Sequence, residues 1–177
     1  MKKNFPMRFL NFSLDDFALE IDGDFLDSFA IPVNQTTASA YPILLSSQKL
    51  GILELRSAIQ SIEDWDEVGS LVIHKLNVNE YKGTIFDKLQ IFKIPMKLRV
   101  DGITKLVYED DSVVVESGIT FRDENQGYIT VCAGAATGSV TITTSFESFI
   151  FMPGTGLKGL KNARLRMGEL VDVLRAI

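Results

Sequence analysis

The sequence predicts a single α+β domain over residues 1–177. Its core is a mostly antiparallel sheet, curved or in two layers, with one internal helix at 54–63 and one C-terminal helix. Three observations predict this. Between residues 103 and 151 short runs alternate apolar and polar side chains and are separated by tight, glycine-bearing turns, the pattern of a β-meander. Leu55, Ala58, Ile59 and Ile62 recur at spacings of three and four, with Arg56, Gln60 and Glu63 between them, which reads as one face of a helix. Leu160, Ala163, Met167, Leu170, Val171 and Leu174 form a second stripe of that kind in the last twenty residues.

Taken in order, residues 5–14 (FPMRFLNFSL) predict a first strand that ends at Asp15-Asp16. Phe17, Leu19 and Ile21 alternate with Ala18, Glu20 and Asp22, the period of a half-buried strand. Asp22-Gly23 supplies a turn, because glycine accepts the positive φ that tight turns need. Phe25–Ile31 is the return strand and Asn34–Ala40 a surface loop. Leu71–Val78 and Leu89–Val100 resume strand character, with Pro95 marking an edge or a bulge. Asp101-Gly102 then turns the chain into the meander. There Ile119, Phe121, Ile129, Val131, Val140 and Ile142 should face a core, and Thr130, Cys132, Thr141 and Thr143 the opposite side.

Composition excludes several classes. Hydrophobic residues make up 46% of the chain and charged ones 23%, values that rule out disorder, collagen and a disulfide scaffold. Cys132 is the only cysteine, so no intramolecular disulfide forms and a reducing compartment is expected. Lys2-Lys3 is followed by Arg8 and two aspartates rather than by an apolar stretch, and no eighteen apolar residues run together. The expectation is a cytoplasmic protein without a membrane partner.

Charge is uneven. Residues 1–67 hold five cations against eleven acids, whereas 152–177 hold five cations against two acids, in a chain of net charge −5. Asp15, Asp16, Asp22 and Asp24 form one acidic run, and Glu63, Asp64, Asp66 and Glu67 another around Trp65, the only tryptophan. These nine residues are the candidate face for a basic partner, with Trp65 the type of side chain that anchors interfaces. A calcium loop is not formed, since Asp22-Gly23-Asp24-Phe25-Leu26-Asp27 has leucine at the fifth position and aspartate at the sixth.

Other motifs fall short of a chemistry. Gly154-Thr155-Gly156-Leu157-Lys158-Gly159 matches G-x-G-x-x-G, but a dinucleotide site needs a further strand with an acid about 20 residues on. A phosphate loop needs lysine where Leu160 stands. The plainer reading is a flexible loop that lets the last helix fold back. Lys158, Lys161, Arg164 and Arg166 lack interleaved aromatics, so no nucleic-acid partner is expected. His74 and Cys132 are the only candidates for a base and a thiol nucleophile, and neither is flanked by the turn that exposes a nucleophile. No catalytic residue, metal or cofactor is assigned.

The segment ESGITFRDENQGYITVCAGAATGSVTI, residues 116–142, resembles the C-terminal β-hairpins of small bacterial proteins, some of them similar to immunity proteins of polymorphic toxin systems. The resemblance implies a non-enzymatic protein that binds and blocks a toxin. It carries over no site residues. The leading expectation is thus a protein-binding module with a basic partner. A β-barrel or sandwich that holds a small ligand among its phenylalanines is the alternative, and a small hydrolase or transferase comes last. An uncovered edge strand would allow a homodimer.

Overall fold

The computed structural model describes residues 6–10, 14–62, 66–77, 88–154 and 164–166. In chain order these form β1 (Met7–Phe9), α1 (Leu14–Ile21), β2 (Phe25–Pro32), β3 (Ile43–Ser47), β4 (Gly51–Ile62) and β5 (Asp66–Leu76). There follow β6 (Leu89–Arg99), β7 (Gly102–Glu109), β8 (Val113–Arg122), β9 (Tyr128–Ala133), β10 (Val140–Thr144) and β11 (Arg164–Arg166). One sheet runs β10-β9-β8-β7-β11, with β1 parallel to the first part of β8; the other runs β5-β4-β3-β2-β6. The chain is mostly β, and among the described residues no helix is long and apolar enough to cross a membrane.

Both sheets feed one core. The meander is where the alternation places it, and Ile119, Phe121, Ile129, Val131, Val140 and Ile142 are all buried against Phe29, Ile43, Leu45, Leu53 and Leu55 of the other sheet. Each such side chain contributes about 1.5–3 kcal/mol by leaving water, which makes this layer the main source of stability. Phe29, Phe92 and Phe149 pack ring against ring in the same core. Thr130, Cys132, Thr141 and Thr143 do alternate with the core residues, yet they too are buried. Two of these hydroxyls are satisfied locally: Thr130 shares a hydrogen bond of 2.8 Å with Thr120, and the Thr141 hydroxyl donates to the Thr37 carbonyl and accepts from the Met152 N–H.

Three expected elements differ. Residues 54–63 were expected to be helical, but through Ile62 they are strand, paired with β5 in unbroken register from Ile52↔Leu76 to Ile62↔Asp66. Leu53 and Leu55 alternate with Glu54 and Arg56, a period-two signal that cross-strand pairing realises and the spacing of three and four obscures. Phe17–Ile21, expected as a strand, belongs instead to helix α1. Phe17, Ala18 and Ile21 turn to the core while Leu19 is 82% exposed, so the apparent alternation is one face of a helix plus an outlier. Gly23, at φ 64°, closes that helix in the left-handed conformation glycine tolerates, rather than a hairpin turn. The expected C-terminal helix falls on residues outside those described except at 164–166, which form β11 along β7.

Edges are managed in different ways. The free side of β10 is covered by the 34–40 loop, where Ala40 and Val140 exchange backbone hydrogen bonds and Ile142 N–H bonds the Thr37 carbonyl. On β6 the register against β2 jumps from Ser28↔Lys93 to Leu26↔Leu98, so the segment around Pro95 bulges outward as the proline suggested. Such a bulge, with exposed Lys93 and Lys97, discourages pairing with another strand.

Candidate functional site

The β4–β5 hairpin is longer than the sheet it belongs to. Its base, around Leu53, Leu55 and Leu71, lies in the main core. Its far end reaches over β8 and β9, and what lets it approach is a small residue. A Cβ added at Gly69 would stand 2.7 Å from the Ala133 Cβ and 2.6 Å from the Ser57 Oγ. Beyond that contact, Ile62 joins Val113 and Val115 in a satellite apolar cluster flanked by Phe9, Val68 and Tyr108.

Where the hairpin end stands off from the meander, a cleft of about 320 Å³ opens. From the hairpin it is lined by Ser57, Ile59, Glu67 and Gly69; from the β7–β8 turn by Tyr108, Asp110 and Ser112. Gly134, Gly138 and Gly154 complete it from the turns at the end of β9 and from the chain that follows β10. Outside Gly138 stand Tyr41 and Ile59, which remain 44% and 48% exposed although both are large and apolar.

Two carboxylates belong to this cleft. Asp110 closes the β7–β8 turn: its Oδ1 accepts from the Ser112 N–H and hydroxyl at 2.7 Å and from the Val113 N–H at 2.9 Å, and its Oδ2 from the Tyr108 hydroxyl at 2.8 Å. Partial burial by itself would raise its pKa, but these four donors outweigh it and hold the carboxyl at about 2. The same bond raises the Tyr108 phenol above its ordinary value. Glu67 is exposed on β5. Neither carboxylate forms an ion pair with a described residue, and Ile59 gives the cleft an apolar margin beside them.

Of the acids singled out in the sequence, Glu67 alone is seen to line the cleft. Asp22 is exposed elsewhere, at the end of α1. Asp24 is fully buried and works inside the fold, accepting from the Phe25 and Lys49 N–H groups and from the Ser47 hydroxyl, so it presents nothing to a partner. Asp15 and Asp16 lie in α1 and Asp66 opens β5; Glu63, Asp64 and Trp65 fall outside the described residues. Asp110 was missed, although a Glu109-Asp110-Asp111-Ser112 run between two apolar strands is a signature of a turn in which aspartate caps its own backbone.

Besides Glu67, Tyr108 and Asp110, no described titratable side chain lines this cleft. Cys132 is fully buried in the meander, and burial pushes its thiol well above the usual range. His74 is exposed on the other sheet, opposite Glu54, and no hydrogen bond joins it to Cys132. Glu54 is nearly buried and held by Arg56 through both carboxylate oxygens. Lys105 and Glu116 form a buried ion pair between β7 and β8. Of the Gly154–Gly159 loop only Gly154 is described, its N–H bonded to the Ala133 carbonyl. Among the described residues no three His, Cys, Asp or Glu side chains converge to hold a metal ion. Compared with protein-family models, with curated proteins and with solved structures, the chain matches none.

Proposed function

We propose that the protein is a non-enzymatic binding protein that engages a basic protein partner at the cleft between the β4–β5 hairpin and the meander. One observation carries this reading. Glu67 and Asp110 line the cleft without a cationic partner among the described residues, next to Ile59, a large apolar side chain left half in water. Charge of one sign in a concave site steers an oppositely charged partner, and an apolar margin gives the encounter something to bury. Residues 116–142 resemble hairpins of small bacterial proteins, some of them similar to immunity proteins, and on that resemblance the reading takes a specific form, the neutralisation of a toxin by direct contact.

The test is capture from a lysate of the source cell, eluted in steps of rising salt, with the wild type beside an Ile59→Asp/Glu67→Lys variant. Both positions are exposed, so the variant keeps the fold. A basic protein retained by the wild type alone, and released at moderate salt, supports the reading. Equal retention by both forms contradicts it. A second reading, a small-molecule site, draws on the cleft volume of about 320 Å³. That places it at the lower end of ligand pockets, which span roughly 300–1,000 Å³. None of the described phenylalanines, expected to line such a site, lines it.

A further inference from the structure

Resting on the reading above, we infer that the cleft receives one arginine side chain of the partner, its stem against Ile59 and its guanidinium between Glu67 and Asp110. Space sets the size: about 320 Å³ holds one long side chain rather than a segment of folded chain. Chemistry sets the head group. The carboxylates come from different elements, β5 and the β7–β8 turn, so one cation serving both must offer donors in more than one direction. A guanidinium has five donors in a rigid plane and an ammonium only a compact point charge. Tyr108 lines the same cleft, and an aromatic face suits a weakly hydrated planar cation. The exposed apolar surface of Ile59 matches the aliphatic part of such a side chain.

Small residues on the wall make the site readable. Gly69, Gly134, Gly138 and Gly154 all line the cleft, whereas Gly23, Gly51 and Gly102 do not. The experiment follows glycine amide resonances of the ¹⁵N-labelled full chain during titration with N-acetyl-arginine amide, N-acetyl-lysine amide and N-acetyl-citrulline amide. Citrulline keeps the shape of arginine and removes the charge. Arginine is expected to shift the four cleft glycines saturably while leaving the other three in place. Lysine should bind more weakly and citrulline not at all. Glu67→Gln should weaken arginine binding by roughly fivefold, the scale of a solvent-facing ion pair. Citrulline or lysine binding as tightly as arginine would overturn the guanidinium assignment while leaving the cleft a binding site. Unshifted cleft glycines with every probe would overturn the arginine site itself. The partner reading would then be judged separately, by the salt-stepped capture.

Discussion

The two ends of the β4–β5 hairpin are made of the same two strands and do different work. At its base Leu53, Leu55 and Leu71 are sealed between the sheets, and each position is filled by a long aliphatic side chain. Beyond the Ser57↔Leu71 pair, toward its far end, the strands carry Ile59, Glu67 and Gly69, residues too small, too polar or too exposed to build a core. The contrast teaches that stability and a site can be drawn from one element when the element outruns the layer that buries it. Large side chains close the base, and glycine brings the other end close enough to the meander to leave a cleft rather than open solvent.

Substitutions can break this contrast, and their effects should fall in order from base to rim. Leu55→Ala removes a fully buried side chain from the main core, and a loss of about 2–5 kcal/mol in unfolding free energy is expected by urea denaturation, with an unchanged slope. Ile62→Ala, in the satellite cluster, should cost about 2 kcal/mol, the low end of that range, because fewer buried neighbours surround it. Gly69→Val forces side-chain atoms onto Ala133 and Ser57; overpacking of this kind costs about 1–3 kcal/mol and should also abolish arginine-induced shifts at Gly134 and Gly138. If it did neither, the close approach at Gly69 would not be what shapes the cleft.

Asp110→Ala is the mildest. The lost turn bonds are partly solvated, so about 1 kcal/mol is expected at neutral pH. Its pH dependence has a definite sign. The folded carboxyl titrates at about 2, below its ordinary value of 3.8, so the stabilisation is complete above the ordinary value and fades as pH falls through it toward the lower one. The difference between wild type and Asp110→Ala in thermal melts should therefore shrink between those two pH values and stay constant above them.

How much of this was legible in the sequence varies with the range of the interactions. The meander could be read because its turns are local and its alternation is uninterrupted, so Ile119 through Ile142 declare their face without reference to the rest of the chain. Residues 54–62 could not, because their helix-like spacing and their strand partner compete, and the winner is settled by residues 66–76, whose register no local window contains. In Phe17–Ile21 the error runs the other way: five residues are too few to separate a period of two from a helix face, and the exposure of Leu19 is visible only in three dimensions. Of the site, Glu67 was legible only as one of the acids clustered around Trp65. Asp110 and the glycine wall were not, since small residues and turn aspartates carry no signal until the topology gathers them.

The central claim is that a partner docks at the hairpin's far end and not along its base. Photo-crosslinking tests it most directly, with p-benzoylphenylalanine placed at Ile59 or at His74, two exposed positions on the same hairpin. Irradiation in the source lysate should yield a covalent adduct with one basic protein from position 59 and none from position 74. Adducts from position 74 alone, or equally from both, would contradict the account.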